Sequence, residues 1–245
     1  MSDNYIETMA LRTCDCDMHG DWRPGAILEA MQETATAHCA RLGLDRAATD
    51  ALGVAWVLSR CRVALERVPR LGETISVETY PLAPRHLFYP RANVFRDASG
   101  RQIGAAASLW VLLDVNARRI TDSDAVKSRL PENAGRPAGP RMSAALRPLA
   151  AEPVRGDFMP PYSDFDINGH ANNTRYLDWC CSALGFGTMA EAQLTDFEIS
   201  YDSEVRPGAE LHAELAREGD RFTYCGFDGG KRCFCVAGTL TPRGK

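Results

Sequence analysis

The chain has 245 residues, 45% of them hydrophobic and 24% charged, which suits one large domain or two of about 120 and excludes a disordered, collagen-like or fibrous chain. A formal net charge of −4 argues against a protein built to wrap nucleic acid. The longest nearly unbroken apolar run, Ile103–Leu113, falls short of the about 20 residues a bilayer span needs, and the first residues carry an early acid and no apolar signal core, so a cytoplasmic protein with no membrane span is expected.

An alternating stretch opens near Tyr5 and runs into the polar turn Asp17-Met-His19-Gly-Asp21. From Pro24 to Gly43 the apolar residues Ile27, Leu28, Met31, Ala35, Cys39 and Leu42 recur at three- and four-residue intervals, predicting a helix buried on one side. Pro24 suits its first turn and Gly43 its stop. Strands are predicted at Val54–Leu65, Thr74–Tyr80, His86–Phe95 and Ile103–Val115, separated by turn residues.

The stretch from Thr121 to Arg155 differs in character. Five of the 14 prolines fall between Pro131 and Pro153, so it reads as a proline-rich tether over the surface, with a short helix near Asp124–Leu130. Beyond it the first order repeats. Gly156–Phe165 is predicted as a strand, Asp166-Ile-Asn168-Gly-His170 as a turn and Ala171–Gly185 as a helix, with strands at Leu194–Tyr201, Glu210–Arg217, Phe222–Phe227 and Cys233–Thr241. Asp17-x-His-Gly-Asp lies over Asp166-x-Asn-Gly-His, and Val68-Pro-Arg-Leu-Gly72-Glu answers Val205-Arg-Pro-Gly208-Ala-Glu. The expected class is α+β: two copies, 1–120 and 156–245, joined by the segment 121–155, each a long helix wrapped by a curved antiparallel sheet.

Nine cysteines include two Cys-x-Cys pairs, Cys14/Cys16 and Cys233/Cys235, and no CxxC. An odd count and the missing knuckle spacing argue against a disulfide scaffold or a structural zinc site, so the cysteines read as reduced thiols packed as small hydrophobes.

The densest polar cluster runs from Asp164 to Tyr176. Asp166, Asn168 and His170 are spaced by two, so they share one face of an extended segment or line a bend before a helix. Either arrangement gathers a carboxylate, an amide and an imidazole near unpaired helix N–H groups, a place to stabilise an oxyanion. The plainer reading is an Asx turn and helix cap with His170 a spectator. Asp17–Asp21 lacks the Asn-x-His order and reads as a capping turn.

The stretch Asp166-Ile-Asn168-Gly-His170-Ala-Asn172-Asn173-Thr-Arg-Tyr176 resembles the D-x-N-x-H-x-N-N-x-x-Y signature of the plant and bacterial acyl-acyl-carrier-protein (acyl-ACP) thioesterases. Met31-Gln-Glu-Thr-Ala35, Trp56-Val-Leu-Ser-Arg60, Pro69-x-x-Gly72-Glu and Ser108-Leu-Trp110-Val are similar to blocks of that family's N-terminal half. The resemblance implies two tandem hotdog domains, an acyl-chain pocket in the first and the catalytic residues in the second. It implies catalytic roles for Asp166, Asn168 and His170, and for Glu204 in Tyr201-Asp-Ser-Glu204-Val205 on the next long strand. Plant members often carry a cysteine after this acid; Val205 stands there, so thiol catalysis is not expected and Cys180 and Cys181 read as core. Trp56 and Trp110 read as core or pocket wall.

The implied reaction is hydrolysis of a fatty acyl-ACP thioester by water activated by Glu204 or Asp166, with helix N–H groups polarising the carbonyl and no metal or organic cofactor. An acidic carrier requires a local basic face, for which Arg60, Arg62, Arg67, Arg70, Arg136, Arg141, Arg147 and Arg155 are candidates. The rival readings are an acyl-CoA thioesterase of the same fold, a non-catalytic acyl-binding protein and a hotdog hydratase; a homodimer is left open.

Overall fold

The structure is a computed structural model that describes residues 3–243. Its contacts divide the chain into two compact units. The first holds the chain up to Trp22 together with Glu29–Arg141; the second holds Arg23–Leu28 and the chain from Met142 onward.

In the first unit β1 (Tyr5–Ala10) leads through a turn to α1 (Pro24–Arg41) and α2 (Arg46–Ala51), followed by β2 (Val54–Leu65), β3 (Thr74–Pro81), β4 (Phe88–Asp97) and β5 (Gln102–Asp114). The strands pair antiparallel in the order β1-β3-β4-β5-β2, and β6 (Arg119–Thr121) adds to β5. On α1 the periodic residues Ile27, Leu28, Met31 and Ala35 are buried as expected. Polar residues are buried too: Thr34 and His38 on α1, Thr79 on β3 and Arg91 and Asn93 on β4. Arg91 donates to His38 Nδ1 and to Thr79 Oγ1, both at 3.2 Å, and burial pushes its guanidinium pKa down.

In the second unit β7 (Val154–Phe158) precedes α4 (Arg175–Glu191), β8 (Ala192–Tyr201), β9 (Leu211–Glu218), β10 (Arg221–Asp228) and β11 (Lys231–Pro242). Its antiparallel order is β7-β9-β10-β11-β8. Within each unit the order is therefore first, third, fourth, fifth, second, with the long helix between the first strand and the second. The internal repeat is a repeat of topology.

Three boundaries differ from expectation. The strand expected at Gly156–Phe165 stops at Phe158, because Pro160 and Pro161 have no N–H to donate and Tyr162–Asp164 form a 3-10 turn. The helix expected from Ala171 begins at Arg175, and it passes through the non-helical Gly185 (φ 82°) to resume until Glu191. The strand expected at His86 begins at Phe88, since His86 sits in a turn at φ 55°. α2 was not expected; Asp45 caps it by accepting the Ala48 N–H at 2.9 Å.

The proline-rich segment is pinned rather than free. On the first unit the Asn133 amide donates to the carbonyls of Asp3 and Pro81, each at 2.9 Å, and the Tyr80 hydroxyl donates to Pro137 O at 2.7 Å. The Arg136 guanidinium lies 3.7 Å from the Tyr80 ring centroid and pairs with Glu78. On the second unit the Ser143 N–H and hydroxyl donate to the buried Glu198 carboxylate, Arg232 donates to Leu146 O at 3.2 Å, and the Leu149 N–H donates to Thr223 Oγ1 at 3.0 Å. The expected short helix appears as α3 (Asp124–Lys127), capped by Ser123.

No helix among the described residues is long and apolar enough to cross a membrane. All nine cysteines are free thiols; Cys61, Cys180, Cys225, Cys233 and Cys235 are buried.

Candidate active site

Residues 166–170 close a tight turn. The Gly169 N–H donates to Asp166 O at 3.0 Å, the Asp166 N–H donates to His170 O at 3.1 Å, and Phe165 bridges to Ala171. Gly169 takes φ 77°, a conformation that costs glycine nothing and a side chain strain. Asp166 Oδ1 accepts the Asn168 N–H at 2.8 Å, which is the Asx turn of the plainer sequence reading. Its Oδ2 accepts the side-chain amides of Asn168 and Asn172, each at 3.3 Å. Asp166 thus both shapes the turn and aligns the Asn168 amide. Asn168 is exposed, and the half-buried His170 imidazole has no hydrogen-bond partner among the described residues.

Asn172, to which the sequence reading gave no role, joins this turn to α4. Its Oδ1 accepts both the N–H (3.0 Å) and the hydroxyl (2.9 Å) of the buried Thr174, and its carbonyl accepts the Arg175 N–H at 3.0 Å. An Asn-Asn pair just ahead of an apolar periodic run is the available sequence signal, since Asn is a preferred capping type. The Thr174 and Arg175 N–H groups at the start of α4 are thereby satisfied.

Glu204 lies in the loop beyond the end of β8 rather than on a strand. Its side chain is 35% exposed and its Oε2 stands 3.1 Å from Arg206 Nη2. One backbone bond draws this loop to the turn: the Ala171 N–H donates to Val205 O at 2.8 Å. His170 and Glu204 each immediately precede a partner in that bond. Tyr176 packs beneath, 4.8 Å from the Phe234 ring and 4.7 Å from Trp179. Burial raises its phenol pKa well above the usual range, and negative charge on Cys233, Asp166 and Glu204 adds to the effect. Both carboxylates therefore lie within electrostatic reach of one buried hydroxyl. Asp164 accepts the Trp179 indole N–H at 2.7 Å and its carbonyl accepts the Asn172 N–H at 2.8 Å, fixing the turn to the helix.

The first unit repeats the backbone bonds of this turn and its Asx bond. The Gly20 N–H donates to Asp17 O, the Asp17 N–H to Asp21 O, the His19 N–H to Asp17 Oδ1 and the Trp22 N–H to Pro69 O, with Gly20 at φ 78°. Pro69 thus corresponds to Val205, one residue off the sequence alignment, and Val68 corresponds to Glu204. The first copy keeps the turn and lacks the Asn, His and Glu.

The N-terminal domain model of the acyl-ACP thioesterases matches residues 2–125, and the C-terminal domain model matches residues 149–225. The chain belongs to the acyl-ACP thioesterase family. A chloroplastic acyl-[acyl-carrier-protein] hydrolase of Cuphea viscosissima is 25% identical over 240 residues, covering 90% of this chain. The chain matches 58% of that relative's length. Among solved structures, an acyl-ACP thioesterase from Bacteroides thetaiotaomicron shares the fold at a TM-score of 0.89 and 22% identity, covering 98% of this chain and 100% of its own. The 12:0-ACP thioesterase of Umbellularia californica shares it at 0.85 and 22%, covering 99% of each. The α+β, tandem hotdog architecture of this thioesterase family is the architecture of the chain.

Cys180 in this family member is fully buried, and desolvation pushes its thiol pKa well up. Val205, beside Glu204, is fully buried as well. Of the arginines considered for carrier docking, Arg67, Arg70, Arg136 and Arg155 are paired with Glu73, Asp21, Glu78 and Glu214, and Arg62 donates to Arg141 O. Arg141 and Arg147 are exposed and make no side-chain ion pair among the described residues.

Proposed function

We propose that the chain hydrolyses the thioester of a fatty acyl group carried on acyl carrier protein, yielding free fatty acid and the carrier thiol. The observation that carries this reading is the backbone bond from Ala171 to Val205, which holds the Asp166–His170 turn against the loop bearing Glu204. Family membership and the relatives' names supply the substrate class.

Glu204 takes a proton from water as the oxygen adds to the thioester carbonyl. Asp166, occupied by three donors, positions Asn168. The Asn168 amide and His170 orient the water and hold the oxyanion. The C–S bond then breaks and the proton passes from Glu204 to the leaving sulfur. General-base assistance contributes about 10²–10⁴-fold and one oxyanion donor about 10²–10³-fold, which together suffice for an activated acyl group. The first copy houses the acyl chain against the cluster of Leu42, Leu44, Tyr89 and Leu112, on which Trp56 and Trp110 pack. Docking of the acidic carrier rests on Arg141 and Arg147, and nine cysteines outside any disulfide fit a cytoplasmic site of action.

Turnover of acyl-ACP and acyl-CoA by the purified chain tests this. Asp166→Ala and Glu204→Ala each abolish hydrolysis while leaving the circular dichroism spectrum unchanged; near-full activity in either removes that residue's role. Hydrolysis of acyl-ACP falls with added salt far more steeply than hydrolysis of a small thioester. Equal salt responses with faster acyl-CoA turnover assign the chain to CoA esters instead.

A further inference from the structure

Two cysteines outside the site are placed for chemistry of their own. Cys225 on β10 and Cys235 on β11 stand directly opposite one another in the antiparallel register. Opposed residues in such a ladder have Cα atoms about 4.5–5.5 Å apart, inside the roughly 4.4–6.8 Å that a disulfide requires. Their sulfurs are 2.7 Å apart, and both residues are almost completely buried. Leu146 of the pinned segment packs on the pair, with Phe227 and Ala237 beside it. A cavity of about 240 Å³ opens between residues 148–153 of that segment and the sheet, and Cys225 lines it with Glu214 and Thr223. Cys225, whose sulfur is 2.7 Å from that of Cys235, thus borders a space that a small solute can enter. The Cys225 thiol donates toward the Cys235 sulfur; this bond and the nearby Arg232 lower the Cys235 thiol pKa against burial and Asp202, while the same bond and burial push the Cys225 thiol up.

We propose that Cys225 and Cys235 form a reversible redox site, oxidised by hydrogen peroxide to a cross-strand disulfide. The Cys235 sulfur, the more readily ionised of the two, attacks one peroxide oxygen, the O–O bond breaks, and one water leaves as a sulfenic acid forms. The Cys225 sulfur displaces that hydroxyl, which leaves as a second water, and the S–S bond closes. Two thiols lose two electrons and two protons, and the peroxide is reduced to two waters. A dithiol reductant reverses the step. Cys14, the exposed cysteine, offers peroxide an easier approach, so exposure alone predicts a different target.

The test is peptide mass spectrometry on the folded full chain after graded peroxide, acid quench and alkylation. The expected product is a linked pair of peptides holding Cys225 and Cys235, lost on treatment with dithiothreitol, with Cys61 and Cys180 recovered as alkylated thiols. Recovery of Cys225 and Cys235 as alkylated thiols overturns the proposal, as does their irreversible oxidation or linkage to other cysteines. Cys225→Ser and Cys235→Ser must each abolish the linked species, and its persistence in either also overturns the assignment. If a variant does not fold, the wild-type linkage and its reversal decide alone.

Discussion

Replacing Asn172 by Ala separates two jobs done by one side chain. Its Oδ1 accepts the N–H and the hydroxyl of Thr174, a residue only 1% exposed, so truncation strands both groups. Loss of a capping acceptor costs about 1 kcal/mol, and a buried hydroxyl left without its acceptor costs about 1–2 kcal/mol more. A total of roughly 2–3 kcal/mol lowers Tm by roughly 5–10 °C in a chain of this size, read by thermal unfolding. Asn172→Ser restores an oxygen acceptor and should recover most of that loss. Neither variant keeps the amide that donates to Asp166. A hydrogen bond to a charged group is worth about 1.5–3 kcal/mol, so acyl-ACP hydrolysis should fall about 10–100-fold in both. A serine variant as unstable as the alanine one would refute the capping role. Full hydrolysis by the serine variant would refute the positioning role.

The Asp15 carboxylate is buried and accepts the Arg12 Nε–H and N–H, each at 2.9 Å; these bonds, the side-chain one foremost, hold its pKa below the usual range despite burial. A depressed folded-state pKa means this contribution is complete above about pH 4 and disappears as pH falls through the folded value. Asp15→Asn should therefore lower Tm near neutrality and flatten the decline of Tm below about pH 4; parallel acid limbs in the two proteins would contradict this. Glu198 accepts three bonds from Ser143 while 4% exposed. Glu198→Ala should destabilise the chain by about 2–3 kcal/mol and speed limited proteolysis within residues 142–153; unchanged cleavage would show that the segment is held by other means.

Local signals in the sequence carried much of the architecture. The period of Ile27, Leu28, Met31 and Ala35 marked α1 because those residues face its interior, and the strand Val54–Leu65 was bounded correctly by its alternation and flanking turns. His38 and Arg91 are buried against partners on different elements, which no polar residue announces by its type. The start of α4 was misplaced because Asn172 completes a turn before the helix that a pattern of apolar residues does not register. The pinned linker was illegible for another reason: its bonds reach 130 positions from Asn133 and 55 from Ser143, beyond any local window. At the site, Asp166, Asn168 and His170 were legible as a cluster, while the hydrogen bond that draws Val205 to Ala171 was not.

A turn that recurs without the Asn, His and Glu of the second copy separates scaffold from side chains. Asp17 shares with Asp166 the backbone bonds and the Asx bond of its loop, so that shape forms without the residues at the Asn168, His170 and Glu204 positions. Transplanting the set onto the first copy therefore takes His19→Asn, Asp21→His and Val68→Glu, with the backbone already in register. The first copy thus offers a folded socket of the same backbone shape, a template for grafting those side chains into one polypeptide.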